Sequence, residues 1–383
     1  MIFDSLDIVA WGLLGALLLC TLAQVYWYAR YLAAPARQLR RERKKGASRA
    51  NEQMPGVSVI LCAHNERDNL SHYLQALLAQ DYPTYEVIVV DDGSEDDTRD
   101  VVERYMAQDA RLHMTFVPYG ARVGSTKKLA LTLAAKAAQY DFLLLTDADC
   151  VPESNRWIRT MMTGFEESKD IVLGFSPYFE DKGHVNRLVR YDTLFNGLHF
   201  LGAALCGHPY MGVGRNLAYR KRLFFESGGF THLMTSRAGD DDLFVNHVAT
   251  KANTAVVMSP DSYTWSPAKR TFKEWWQQKR RHLSVSPHYN ANSKRRLGFE
   301  PMTRGLFYAL VLIAVIGYGL SIAGIAALGV FILRWILQTA IVNVSARRMG
   351  LRAFNPLSVL WFDITLPLIN LWMIIVPKKQ SKW

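Results

Sequence analysis

The sequence predicts an α/β domain built on a mostly parallel sheet and flanked by membrane-spanning helices. Three observations carry this. Between residues 57 and 146, short apolar runs alternate with segments of helical periodicity. Acidic pairs close two of those runs, and long uncharged stretches lie only toward the two ends of the chain.

The alternation is regular. Residues 57–63 (VSVILCA) read as a buried strand, after which Leu70, Leu74, Leu77 and Leu78 recur at helical spacing. Residues 86–90 (EVIVV) form a second strand, 98–106 a helix, and 114–117 a third strand. A helix over 126–138 leads into a fourth strand at 142–146, FLLLT. Strand and helix in this order build a parallel sheet covered on both faces. Such sheets bind ligands outside the carboxyl ends of their strands.

The flanks read as membrane segments. Residues 8–28 hold no charge in 21 positions, about the ~20 needed to cross ~30 Å of hydrocarbon. With Asp4 and Asp7 before it and Trp27 and Tyr28 at its end, this run is expected to be a retained anchor, not a cleaved signal. Residues 305–346 contain one charge, Arg334; at ~1.5 Å per residue they span roughly 63 Å, enough for two helices with a turn near 321–329. A last run, 353–376, carries Asp363 and Pro367 and is expected either to span or to re-enter. The expected divisions are an anchor (1–30), a basic juxtamembrane linker (31–54), the α/β domain (55–267), an interfacial amphipathic segment (268–303) and a C-terminal region of two to three hydrophobic segments (304–383).

Composition narrows the class. With 383 residues, half of them hydrophobic and 12% aromatic, the chain is not disordered. Its four cysteines, Cys20, Cys62, Cys150 and Cys206, are far apart, without a CxxC pair, as in reduced cytosolic thiols. The net charge of +11 is concentrated: residues 30–49 carry +7 and residues 269–296 carry +8, leaving the remainder net acidic. Both clusters adjoin membrane segments, so they read as positive-inside charge, not as a nucleic-acid surface. That puts the α/β domain in the cytosol, on a multi-pass protein of the cytoplasmic membrane. Three C-terminal spans would, however, leave Lys378, Lys379 and Lys382 outside, against the same rule.

The chemistry-bearing residues sit at strand ends. Strand two runs into Asp91-Asp92-Gly93-Ser94, strand four into Asp147-Ala148-Asp149, and strand one into Ala63-His64-Asn65-Glu66. An Asp-x-Asp offers hard oxygen ligands to Mg²⁺ or Mn²⁺, which then bridges a diphosphate. Each pair alone is also an ordinary turn or loop sequence. No GxGxxG or GxxxxGK[ST] loop is present. Lys127 and Lys128 face either phosphates or solvent, and His64 and His208 read as structural. Residues 272–283 mix Trp275 and Trp276 with Lys279, Arg280 and Arg281, as in a helix lying at a membrane interface or, alternatively, packed in a core.

Together these pieces resemble a known family. VSVILCAHNERDNL, EVIVVDDGSEDDT, GSTKKLAL and LLLTDADCVPES, in this order, resemble the amino half of family 2 glycosyltransferases with the Rossmann-like GT-A fold. MGVGRNLAYRK resembles their acceptor-side segment, AGDDDLF falls where members carry an "ED" motif, and WWQQKRRHLS resembles the Q-x-x-R-W motif of cellulose synthases and ceramide glucosyltransferase.

The resemblance implies an inverting, metal-dependent transfer from a nucleotide sugar, with UDP as the expected nucleotide. It implies that Asp91 and Asp92 contact base and ribose near Ala63 and Glu66. Asp147 and Asp149 hold Mg²⁺ or Mn²⁺, Asp149 directly, and Lys127 lies with the nucleotide-sugar groups. Asp240 matches the catalytic base, although Gly239 replaces the preceding Glu, which leaves Asp241 or Asp242 as alternatives; all three also suit the start of a helix. Gln278 and Arg281 match the Q-x-x-R positions and are implied to bind the nucleotide sugar, Arg281 with its charge on the departing diphosphate, whereas His282 stands where the family usually has Trp. The hydrophobic segments give a lipid or lipid-linked acceptor a purpose. Processive polysaccharide synthesis and an inactive membrane scaffold are the alternatives.

Overall fold

The computed structural model describes residues 8–45, 54–118, 120, 125–231 and 238–376. Asp4, Asp7, Arg49, Gly124, Lys378, Lys379 and Lys382 lie outside the described residues.

Helix α1 (Ile8–Trp27) continues through a π-helical turn, Tyr28–Leu32, into α2 (Ala34–Lys45). The alternating region follows as β1 (Val57–Ala63), α3 (Arg67–Leu78), β2 (Tyr85–Asp91), α4 (Thr98–Met106), β3 (Leu112–Phe116), α5 (Thr126–Ala137) and β4 (Phe142–Leu145). Shorter pieces come next: β5 (Val151–Pro152), α6 (Trp157–Met162), β6 (Ile171–Leu173), then the long α7 (His184–Leu205). After it lie β7 (Leu217–Arg220), α8 (Lys221–Glu226), α9 (Asp242–Val248), β8 (Thr254–Val256), β9 (Thr264–Trp265) and α10 (Phe272–Leu283). Three long helices close the described chain: α11 (Ala291–Tyr318), α12 (Ile322–Arg348) and α13 (Pro356–Ile375).

Seven strands form one sheet in the order β3-β2-β1-β4-β7-β6-β8. β1, β2, β3 and β4 run parallel, as the alternation predicts, and β6 and β8 are parallel to each other. β7 is antiparallel to both its neighbours; the chain leaves β6, runs through α7 and returns beside it in the opposite sense. The order reverses at β1, with β2 on one side and β4 on the other, and the crevice at such a switch point is where ligands bind. The register pairs Ala63 with Asp91, so β1 and β2 end flush at that crevice. Val59, Leu61, Val87, Val89 and Leu144 are almost fully buried against Leu70 and Leu74 of α3 and Trp157 and Met161 of α6. Each such side chain contributes on the order of 1.5–3 kcal/mol.

The chain divides into two compact units. Among the described residues, Gln38–Tyr289 forms the α/β unit, and those from Ile8 to Arg37 join those from Asn290 to Val376 in a helical unit. The expected 268–303 segment is therefore split: α10 belongs to the α/β unit, and α11 begins the helical one.

Within the helical unit, α1, α11, α12 and α13 are each long and apolar enough to cross a membrane. The turn between α11 and α12 falls at residues 319–321 instead of 321–329, because Gly319 takes a left-handed φ of 51° and ends α11 there. The 353–376 run is a helix throughout Pro356–Ile375, with Pro367 inside it. Asp363 of α13 is the centre of a buried polar network. Its carboxylate accepts from Arg304 (2.8 Å), Arg334 (2.8 Å), Gln338 (2.7 Å) and Tyr308 (2.5 Å). Arg304 also pairs with Glu300 at 2.9 Å, and Arg334 donates to the hydroxyl of Tyr28 at 2.8 Å and to Gln24. Two arginines balance two carboxylates, so the charges inside this apolar bundle are paired.

Candidate active site

The crevice at the switch point is built first by the turns that end β1 and β2. The Ala63 carbonyl accepts the Asp92 N–H at 2.8 Å, and the His64 ring donates from Nδ1 to the Asp92 carbonyl, also at 2.8 Å. Asn65 adopts a left-handed φ of 57°, and its side-chain oxygen accepts the Glu95 N–H at 2.8 Å. His64 and Asn65 thus fasten one strand end to the other. Asp91 is buried, and its Oδ1 caps the turn by accepting the Ser94 N–H at 2.9 Å. Asp92 is only partly buried and takes a hydrogen bond from Thr126 Oγ1 at 2.7 Å. Burial pushes its carboxyl above the usual range, with the Thr126 bond and His64 opposing. Glu66 receives Asn69 Nδ2 at 2.5 Å; its carboxyl is raised chiefly by burial, Asn69 opposes, and Asp149 and Asp147 add to the rise.

The acids after β4 meet a lysine. Lys127 Nζ lies 3.1 Å from Asp147 Oδ1 and 3.3 Å from Asp240 Oδ2. Its side chain is 40% exposed, at the open floor of the crevice. Burial opposes its charge, but Asp147, Asp240 and Asp241 outweigh that and hold the ammonium well above its ordinary range. Burial raises the Asp149 carboxyl, and its neighbour Asp147 raises it further, with Arg215 opposing. Two carboxylates on one turn suit a Mg²⁺ or Mn²⁺ ion that fills its remaining positions with substrate phosphate and water. Among the described residues no three His, Cys, Asp or Glu side chains converge as a complete protein cage.

The three consecutive aspartates separate in role. Asp241 precedes α9; its Oδ1 accepts the Asp242 N–H at 2.8 Å and its Oδ2 the Gly214 N–H at 2.7 Å. Although burial works against its charge, a side-chain hydrogen bond from the Asp242 carboxyl, Lys127 and the Gly214 N–H together hold its carboxyl well below the usual range. Asp242, the first residue of α9, is buried and accepts from the Tyr289 hydroxyl at 3.1 Å. Burial, aided by Asp241, raises its carboxyl far above the ordinary value. Only Asp240 of the three pairs with Lys127 within ion-pair distance. Gly239 has φ +88°, and a Cβ there would come within 2.6 Å of Leu243. A glutamate at this position would need a strained backbone and a displaced Leu243.

The upward shift of the Asp242 carboxyl makes a pH-dependent prediction. A carboxyl raised on folding binds its proton more tightly in the folded state than in the unfolded one, so its contribution to stability is lost as pH rises above ~4. Asp242→Asn keeps the shape and removes that loss. The variant is expected to melt higher than the parent at pH 8, with the gap closing toward pH 4; a lower melting temperature at pH 8 would contradict this assignment.

On α10, Gln278 Nε2 donates to the Tyr178 hydroxyl at 3.2 Å, and the Arg215 guanidinium lies 4.3 Å over the Tyr178 ring. Arg281 and His282 are exposed on the same helix. Trp275 is buried, and Lys279 makes a buried ion pair with Asp192 of α7 at 2.7 Å. This side of α10 therefore packs within the α/β unit.

Sequence reasoning misplaced Lys128 and gave no individual role to Arg215 and Asn216 of the GRN segment. Lys128 faces neither phosphate nor solvent: it is fully buried, and its ammonium donates to the Ala238 carbonyl at 2.9 Å. Arg215 lies in the MGVGRNLAYRK segment, which gave it no role of its own; in the fold its guanidinium stacks on Tyr178 and donates to Ser266 Oγ at 2.7 Å. Asn216, inside the GRN segment, is fully buried, accepts from Trp157 Nε1 at 3.1 Å and donates to the carbonyls of Phe175 and Ser262 at 2.8 and 2.6 Å.

Comparison with known proteins gives consistent matches. Residues 58–228 match the profile of glycosyl transferase family 2, and residues 144–376 that of glycosyl transferase family group 2. The probable glycosyltransferase YdaM of Bacillus subtilis (strain 168) is 25% identical over 235 residues, 60% of this chain and 55% of that protein. A glucosyltransferase of Escherichia coli, UDP-Glc:α-D-GlcNAc-diphosphoundecaprenol β-1,3-glucosyltransferase WfaP, is 26% identical over 132 residues, 34% of this chain and 48% of its own. The chain thus matches about half the length of these two relatives. The solved mannosyltransferase PcManGT from Pyrobaculum calidifontis, in complex with GDP-Man and Mn²⁺, superposes with a TM-score of 0.55 at 19% identity, covering 88% of this chain and 99% of that one. That likeness shows the fold.

Proposed function

The chain belongs to the family 2 group of glycosyltransferases, and from that premise we propose that it transfers a sugar with inversion from a nucleotide-sugar donor to a lipid or lipid-linked acceptor at a membrane surface. The observation that carries the reading is the meeting of Asp147 and Asp240 on one ammonium, Lys127, at 3.1 and 3.3 Å. It sets a candidate base beside a candidate metal-binding pair.

In this reading Asp92 and the turn formed by Ala63, Glu66 and Asp91 hold the nucleotide, with a UDP-sugar as the preferred donor. Asp149 and Asp147 hold Mg²⁺ or Mn²⁺; when bound, the ion supplies positive charge to the departing diphosphate. Lys127 adds charge on the same side. Gln278, held by Tyr178, and Arg281 complete the nucleotide-sugar site, Arg281 adding charge toward the departing diphosphate. The acceptor oxygen bonds to the anomeric carbon from the face opposite the diphosphate as the carbon–phosphate-oxygen bond breaks. The hydroxyl proton passes to Asp240, and the nucleoside diphosphate leaves. Asp241 is a positioning residue, since its oxygens are engaged by backbone N–H groups.

A lipid acceptor is supported by the four helices long enough to span a membrane and by the lipid diphosphate named in the WfaP acceptor. A single transfer is favoured over threading of a polymer, because the charged side chains between the helices pair with one another. The α/β unit then works on the cytosolic face of the cytoplasmic membrane. Donor consumption by the detergent-solubilised chain, titrated with Mn²⁺, tests the metal assignment. Asp149→Ala is expected to abolish the metal-dependent part; unchanged Mn²⁺ dependence would refute the assignment.

A further inference from the structure

The first turn of α5 touches both halves of the candidate site. Thr126 bonds Asp92 at 2.7 Å, on the nucleotide side. Lys127 spans Asp147 and Asp240. Lys128, fully buried, holds the Ala238 carbonyl at 2.9 Å, two residues before Asp240. One helical turn therefore connects the nucleotide side to the segment that carries the proposed base.

We infer that Lys127 is a donor-operated latch: without donor its ammonium engages the Asp240 carboxylate, and an arriving nucleoside diphosphate draws the ammonium away and frees Asp240 for the acceptor hydroxyl. This rests on the proposed sugar transfer and adds the control of its order. A diphosphate carries more negative charge than one carboxylate and offers more acceptor oxygens to an ammonium with three donors. Once Lys127 turns to it, Asp240 loses its counter-ion and becomes the stronger base. Lys128 keeps the 238–240 segment in place during the exchange, so the carboxylate stays where the acceptor arrives. Donor before acceptor is the consequence.

The latch predicts an effect of unusual sign: removing the charge of the base tightens binding of the leaving group. Titration calorimetry of uridine, guanosine, thymidine and cytidine diphosphates with Mn²⁺ on the full chain in detergent reads it. Whichever diphosphate the parent binds is expected to bind about two- to fivefold more tightly to Asp240→Asn, the worth of a half-exposed ion pair. Asp240→Ser is expected to behave alike, and melting of the unliganded variants confirms that they fold. Lys127→Met is expected to bind more weakly, and in its background Asp240→Asn is expected to change nothing. Unchanged or weaker binding by Asp240→Asn overturns the latch, as does equal tightening in the Lys127→Met background, which would mean direct repulsion between carboxylate and diphosphate. Failure of the parent to bind any of the four overturns the sugar-transfer reading, and the latch with it.

Discussion

Asp240→Asn is expected to lower turnover by roughly 10²- to 10⁴-fold, the contribution of one positioned general base, while nucleoside diphosphate binding persists. Asp241→Asn is expected to differ in kind. Its carboxylate accepts the Gly214 and Asp242 N–H groups, so the loss is one of stability, on the order of 1–3 kcal/mol for charge-assisted bonds. Turnover and thermal melting measured on both variants separate the roles. Burial raises the Asp240 carboxyl, Lys127 opposes, and Asp241 adds to the rise. A base works only when deprotonated, so kcat/KM is expected to fall as pH drops through a value above ~4, the ordinary carboxylate range. Turnover by Asp240→Asn within tenfold of the parent would reassign the base.

The second large effect lies in the helical unit. Asp363→Leu removes the shared partner of Arg304 and Arg334, which lie 2.8 Å from its oxygens, and leaves two buried guanidinium groups short of a counter-charge. Breaking a buried pair from one side costs about 3–5 kcal/mol, so the variant is expected to melt far below the parent in detergent or to fail to accumulate. Replacing Arg334 by Met in the same chain is expected to recover part of the loss, because an apolar group then fills the site of an unpaired charge. A melting temperature for Asp363→Leu equal to that of the parent would show that the network contributes no stability.

Legibility in the sequence followed the physics of each element. β1 through β4 and the helices between them declared themselves because strands buried on both faces must be continuously apolar and their covering helices must repeat every 3.6 residues. The acids at the strand ends were readable for the same reason: once the strands are known, their carboxyl ends mark the crevice. β7 was not readable, since its antiparallel pairing depends on the path through α7 and leaves no trace in the four residues Leu217–Arg220. Lys128 was misread because adjacent lysines opening a helix suggest an exposed face, whereas one of them is fully buried on a carbonyl 110 residues away. Gly239 looked like a lost glutamate until its φ of +88° was known. Asp363 and Pro367 made the last segment look interrupted, yet it is one helix, with the carboxylate paired to residues of α11 and α12.

Transfer of label from a panel of radiolabelled nucleotide sugars into a bacterial lipid extract, catalysed by the detergent-purified chain with Mg²⁺ or Mn²⁺, tests the central claim most directly. Label in the lipid phase that requires the metal and disappears in Asp240→Asn is the predicted result, and it names the donor. Failure to bind, cleave or transfer from any donor on the panel would contradict it.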